Sequence, residues 1–183
     1  MIHPTAKIHP SVIIDGDVEI GAGTYVAAGA IISAVGGKIT IGAKAVILEN
    51  AIIRSSKDFH CVIGDHTLIG PKASVTGATI EDACFIATGA TIFHGSSLKA
   101  GTVLAVNGII HIGTHCPANT FIPINHIGFG NPVKIYAPSE IRELHSDLKK
   151  VGFAKYVYGI DTTGLSNTEV YTQLTDKYLS FLG

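Results

Sequence analysis

The sequence predicts an all-β body over residues 1–135, a left-handed parallel β-helix of hexapeptide repeats, followed by a C-terminal α-helical tail over 136–183. Three observations predict it. Ile or Val recurs every six residues through most of the chain. The composition holds 21 Gly, no Trp and one Met, so no large aromatic core is being built. Beyond Pro138 the apolar spacing changes to that of an amphipathic helix.

The first run of the repeat is Ile2, Ile8, Ile14, Ile20, Val26 and Ile32. A second is Ile41, Ile47 and Ile53, and a third is Ile63, Ile69 and Val75. After a five-residue step come Ile80, Ile86, Ile92, Leu98, Leu104 and Ile110. A period of six fits neither a helix nor a single strand. It fits short strands joined by tight corners, three to a coil, with aliphatic side chains stacked in interior columns. A small residue four places on, as at Thr24, Ala45, Thr67, Ala73 and Ala90, leaves room at the corner. The body is expected to run from about residue 8 to 130. Ala34–Lys38 and Arg54–Val62 break the register and read as loops extruded from corners, where function commonly sits.

In the tail, Pro138-Ser139 starts a helix whose apolar face is Ile141, Leu144, Leu148 and Val151, stopped by Gly152. A second helix starts at Ser166, where Ser166-x-x-Glu169 forms a capping box. Its apolar face is Val170, Leu174, Tyr178 and Phe181 or Leu182, and it runs to about Leu182.

Lys+Arg 13 against Asp+Glu 14 gives a formal charge of −1, which offers no electrostatic footprint for nucleic acid. No apolar stretch approaches the roughly 18 residues of a membrane helix. Met1-Ile2-His3-Pro4-Thr5 lacks the basic and apolar segments of a signal peptide. Cys61, Cys84 and Cys116 read as reduced thiols of a cytoplasmic protein, without the Cys-x-x-Cys spacing of a zinc site.

Two details point further. Gly130-Asn131-Pro132-Val133-Lys134 ends the repeats, and Val75-Thr76-Gly77-Ala78-Thr79-Ile80 carries the five-residue step. With the positions of the two interruptions, they make residues 8 to 150 resemble the γ-class carbonic anhydrase-like family of hexapeptide-repeat proteins. The exit resembles that family's Gly-x-Pro-Ala-Lys, and the step its Leu-His-Gly-Cys-Thr-Ile. The resemblance implies a homotrimer with sites at clefts between subunits, and a metal held there by three histidines. Two of these come from Gly-His-x-x-x-x-His-Gly and one ends a strand reading like Asn-Ile-Gln-Asp-Gly-Ala-Val-Val-His.

This chain departs from the pattern at the ligands. Gly70-Pro71-Lys72-Ala73-Ser74-Val75-Thr76-Gly77 puts Pro71 and Thr76 in two histidine places. Val46–Arg54 puts Arg54 in the third and Leu48 in place of the Gln. The family's Arg-Gly-Asp turn falls near Ser33-Ala34-Val35 and is gone. Proline cannot ligate, and a guanidinium repels the ion. Zinc is therefore not expected at the inherited position.

Arg54, Lys72 and Thr76 are instead candidate residues for binding a small anion or acyl ligand at the subunit interface, Arg54 gripping a carboxylate bidentately. The alternative for Arg54 is an intersubunit salt bridge, for instance to Glu49. Three functions compete. The first is a non-catalytic trimeric scaffold or small-anion binder without a cofactor. The second is a coenzyme A-dependent acyltransferase, with His60 in the extruded loop as its catalytic candidate. The third is a carbonic anhydrase whose metal has moved to His60, His94 and His111. By repeat register, His111 falls in the column of Thr76 and His94 in the column beside it. The structural alternative for these and for His66 is a histidine exposed or hydrogen-bonded on a corner; His3, His9, His126 and His145 are read that way.

Overall fold

A computed structural model of the chain describes residues 1–181. The chain divides into two compact units, Met1–Pro138 and Ser139–Gly183.

The first unit is a parallel β-helix of about seven coils. Its first face stacks seven short strands whose inward residues are Ile8, Val26, Ile47, Ile69, Ile86, Leu104 and Ile122. On the second face the column is Ile14, Ile32, Ile53, Val75, Ile92, Ile110 and Gly128. On the third it is Ile2, Ile20, Ile41, Ile63, Ile80, Leu98 and Cys116. From Ile20 to Ile122 these side chains are buried, and Gly128 ends the second column without one. The regular spacing works because each inward side chain meets its own kind above and below, about 4.8 Å away, with backbone bonds running between coils. The columns continue past Ile110 into Cys116 and Ile122, two steps further than the aliphatic run suggests. Val133 then lies over Gly128: a side-chain carbon built there would be 2.9 Å from Val133 Cγ2.

The corners reverse direction through left-handed residues. Between the first and second faces these are Gly29, Asn50, Lys72, Gly89, Asn107 and Asn125. Glycine and asparagine take this conformation most readily; the N–H of each such corner also bonds the coil above, as Lys72 does to Glu49 O at 2.9 Å. The small corner residues carry their share. Thr24 Oγ1 donates to Gly42 O at 2.7 Å and Thr67 Oγ1 to Glu81 O at 3.0 Å, so both buried hydroxyls are satisfied.

Coil length varies only at the corner between the second and third faces. Ile32 to Ile41 and Ile53 to Ile63 are long steps, and Val75 to Ile80 is short. The first long step is not the expected loop. Residues 34–38 belong to one strand, Ile31–Ile41, running from one face to the next. Its neighbour Ile13–Ile20 does the same, and the extra residues are absorbed by a register shift between Gly16 and Asp17. The second long step does extrude. After the strand Ile52–Ser55 the chain turns through a Ser56–Phe59 bridge and resumes at Cys61–Ile63.

In the second unit, a 3-10 turn at Pro138–Glu140 leads into α1, Ile141–Val151, which ends at Gly152 with φ 72°. That glycine interrupts rather than ends the helical path: α2, Phe153–Tyr158, follows at once and buries Ala154 and Val157. The sequence pattern does not mark α2 because it is shorter than two full turns. The third helix, α3, covers Asn167–Leu179, and its capping box forms as expected. Leu182, where that helix was expected to end, lies outside the described residues. The apolar face of α3 is only half-buried at Val170, Leu174 and Tyr178. No helix among the described residues is long and apolar enough to cross a membrane.

Candidate functional site

The irregular corner gathers most of the chain's candidate chemistry. Just past the inward residues of the second face, one outward column contains Ser33, Arg54 and Thr76 in register. The ladder carries it on through Phe93, His111 and Phe129. Arg54 and Thr76 are both half-buried neighbours one rung apart.

The 22-residue coil that extrudes the loop is followed by a 17-residue coil, and the two compensate. Phe59 descends from the loop over Gly77, in the shortened corner. A side-chain carbon on Gly77 would lie 2.5 Å from Phe59 Cβ and 3.3 Å from His94 Cδ2, and φ is +55° there. Phe59 meets His94 edge-on at 5.3 Å, while His111 stacks on Phe93 at 5.2 Å and meets Phe129 edge-on at 5.9 Å. Sequence reading passed over these three phenylalanines. Phe93, His111 and Phe129 recur at 18 residues, one full coil, and that spacing was the available signal.

The electrostatics follow from burial. The imidazole of His94 is pushed down to about 4, first by desolvation and then by the Arg54 charge. Desolvation lowers His111 as well. Both rings are therefore neutral near pH 7, and the guanidinium is the charged group on this wall. Lys57 and Asp58, of opposite sign, lie exposed in the Ser56–Phe59 turn.

Lys72 stands apart from Arg54 and Thr76 within one chain. It occupies the corner that precedes the strand Ser74–Thr76, at the other end of the second face, and is exposed. Pro71 precedes it there. His60 is exposed on the extruded loop, and its Nδ1 accepts the Lys38 backbone N–H at 2.9 Å, tying the loop to the strand above. His66 is an exposed left-handed corner residue of the third-to-first corner.

These contacts test the fit to a metal. Ligating histidines donate their second ring N–H to an acceptor, which leaves the other nitrogen's lone pair for the ion. His60 and His111 are wired the other way. His111 Nδ1 accepts the Ile112 N–H at 2.9 Å, as His60 Nδ1 accepts that of Lys38. Each neutral ring then carries its proton on Nε2, which becomes a donor. The donor set at the place where the resemblance puts the metal is a guanidinium, a hydroxyl and a proline. Among the described residues no three His, Cys, Asp or Glu side chains converge as a metal would require. The residues present do not fit the ion. The cysteines offer no alternative nucleophile: all three are buried and unbridged, and burial pushes Cys61 and Cys116 up to about 12.

Residues 60–94 match the family model described as bacterial transferase hexapeptide (six repeats). Two curated plant proteins are similar over 80 residues, 44% of this chain. They are gamma carbonic anhydrase 1, mitochondrial, of Arabidopsis thaliana, at 35% identity, and gamma carbonic anhydrase 2, mitochondrial, of the same plant, at 31%. The aligned stretch spans 27% of the length of each. Among solved structures, PerB from Caulobacter crescentus, in complex with CoA and GDP-perosamine, is similar at 25% identity and TM-score 0.41. The match covers 74% of this chain and 56% of that one. The UDP-N-acetylglucosamine O-acyltransferase of Moraxella catarrhalis is similar at 16% identity and TM-score 0.42, covering 96% and 90%. The chain carries six-residue repeats and is similar to γ-class carbonic anhydrases over part of its length.

Proposed function

We propose that this chain is a non-catalytic, trimeric relative of the γ-class carbonic anhydrases, in which a guanidinium-centred small-anion site replaces the metal. The observation that carries the reading is the register pairing of Arg54 with Thr76 beside neutral His94. A fixed cation next to a hydroxyl, on a wall whose imidazoles add no charge, suits an anionic ligand and repels a cation.

Trimerisation is supported by the outward columns. On the first face these are Lys7, Tyr25, Val46, Leu68, Phe85, Val103 and Phe121, and on the second Ile13, Ile31, Ile52, Ser74, Thr91, Ile109 and Ile127, so both are mainly apolar. Tyr25, Phe85 and Phe121 are 41%, 43% and 57% exposed in the single chain. The third face shows mainly polar residues, among them Glu19, Thr40, Thr79 and Ser97. Two apolar faces on one prism suit packing against copies of itself. The acyltransferase reading requires His60 as a base, and its outward nitrogen holds the proton instead of taking one. A relocated metal meets the opposed wiring of His60 and His111.

The test is anion titration of the wild type and Arg54→Ala, followed by backbone NMR shifts around Thr76 and His94. The wild type should saturate and the variant should not respond. An identical response in both would sink the reading. Light scattering should report three chains per particle, and a Phe85→Glu variant should dissociate; a monomeric wild type would remove the trimer.

A further inference from the structure

We infer that His3-Pro4-Thr5 and His9-Pro10-Ser11 form a cap that closes the open edge of the first coil, so that a second copy of the chain cannot add its strands there. The cap stands whether or not the anion site does.

A stack of coils leaves its first coil with backbone groups that have no neighbour above. In the coils below, the corner amides find acceptors one coil up. Lys44 N–H donates to Ala22 O at 2.8 Å and His66 N–H to Ala43 O at 3.0 Å. At the next corner Asn50 N–H donates to Ala28 O at 3.1 Å and Lys72 N–H to Glu49 O at 2.9 Å. By register, Thr5 and Ser11 hold the matching places in the first coil. Their N–H groups turn back onto their own coil: Thr5 donates to His3 Nδ1 and Ser11 to His9 Nδ1, both at 3.2 Å. The hydroxyls complete the device. Thr5 Oγ1 lies 2.9 Å from His3 Nδ1, and Ser11 Oγ 2.8 Å from His9 Nδ1. A ring nitrogen that accepts the amide also accepts the hydroxyl proton, which leaves the oxygen's lone pairs for the coil below. Gly23 N–H donates to Thr5 Oγ1 and Gly29 N–H to Ser11 Oγ, both at 3.0 Å. Each His and hydroxyl pair thus does at a coil edge what a capping box does at a helix start.

The rest of the edge is blunted as well. Pro4 and Pro10 have no N–H to give an incoming strand. Ala6 N–H and Val12 N–H close onto His3 O and His9 O, each at 3.0 Å. Lys7, His9 and Ile13 donate downward, to Thr24, Val26 and Ala30. Strand alternation leaves Ile8 and Ile14 to face the open side. Single donors set between prolines, with the exposed Lys7 beside them, make a poor template for another strand. The guard has something to protect. Ile2 is 44% exposed, and Ile8 and Ile14 are half-buried, so the interior columns end in an apolar patch that a second stack of the same columns would match. At the far end of the second face the edge is covered differently, by Lys134–Tyr136 running back antiparallel along Ile127–Phe129.

The experiment uses the full chain, with hydrogen exchange and sedimentation velocity. In His3→Ala/His9→Ala, the Thr5 and Ser11 amides should exchange at least tenfold faster than in the wild type, while Lys44 and Asn50 keep their rates. Unchanged rates at Thr5 and Ser11 would overturn the histidine caps. A variant with His3→Ala, Pro4→Ala, His9→Ala and Pro10→Ala opens the edge fully. The wild type should keep one particle mass over a tenfold range of concentration; the mass of the variant should at least double across it and fall again on dilution. A folded variant of constant mass, or a wild type whose mass grows in the same way, would overturn the barrier. So would loss of the variant's β-sheet circular dichroism, since the four residues would then support the whole stack rather than guard its edge.

Discussion

At the corner between the first and second faces, successive coils place Gly29, Asn50, Lys72, Gly89, Asn107 and Asn125 in the same left-handed position. From that corner to the next inward residue the spacing never changes. At the corner between the second and third faces, the chain lengthens twice and shortens once, and Arg54, Phe59, Thr76 and His94 collect there. The interior does not register the difference. Ile41, Ile63 and Ile80 on the far side of that corner are as deeply buried as Ile47, Ile69 and Ile86 on the first face. The stack requires only that each coil return its aliphatic residues to the same columns. How the chain rounds a corner outside that interior is free to vary, provided one coil's excess fits the next coil's deficit, as Phe59 fits over Gly77.

The sharpest way to break this comparison is to attack what both corners share. Ile63→Asp puts an unpaired charge into a column that is 1% exposed, at a cost of several kcal/mol, comparable to the whole stability of a domain. Circular dichroism should show the β-helix unfolded at 25 °C. A cooperative melt close to the wild type would mean the columns do not hold the stack.

The second test sets the irregular corner against a regular one, the third-to-first corner at Gly23. Gly23 and Gly77 both have positive φ, but a carbon on Gly23 meets only Lys44 Cγ at 3.5 Å. Gly23→Ala should cost about 1 kcal/mol, the conformational penalty alone. Gly77→Ala must also displace Phe59 and should cost roughly 2–4 kcal/mol in chemical denaturation. Equal costs would mean that Phe59 is not packed against that corner.

The third concerns acid. His94 is depressed from 6.5 to about 4 in the folded chain. Between those values the unfolded chain binds the proton and the folded chain resists it, so stability rises with pH across this window and falls as pH is lowered from 6.5 toward 4. His94→Gln should flatten that limb of the stability profile. The same slope in the variant would assign the effect to other groups, His111 first.

The smallest effect is expected at His60. His60→Ala removes the acceptor of the Lys38 N–H, an exposed bond worth below about 1 kcal/mol. Hydrogen exchange should quicken at Lys38 while the overall melting temperature hardly moves. Exchange at Lys38 as slow as in the wild type would show that the histidine is not the staple.

The sequence by itself determined the interior. A six-residue recurrence is visible in one dimension because every inward side chain faces the same neighbours, so each position carries the same demand. The capping box of α3 was legible for a related reason: Ser166 and Glu169 act within one turn. The corner's contents were legible only in part. Register correctly placed His111 in the column of Thr76, and the 22-residue coil could be counted. Nothing local distinguishes the four extra residues that bulge outward after Ile53 from the three that lengthen a strand after Ile32. For residues 34–38 that was decided by the neighbouring strand, whose register slips between Gly16 and Asp17 to match them. Nor does the sequence show that Lys72 and Thr76, four residues apart, sit at opposite ends of a face, since that depends on the strand between them being straight. The direction of each histidine's lone pair lies further still from the sequence. For His60 it is set by the amide of Lys38, 22 residues away, which only the tertiary structure brings to Nδ1; for His111 the amide is that of the next residue, Ile112, and what decides is the rotamer that the stacked Phe93 ring and the edge-on Phe129 ring hold.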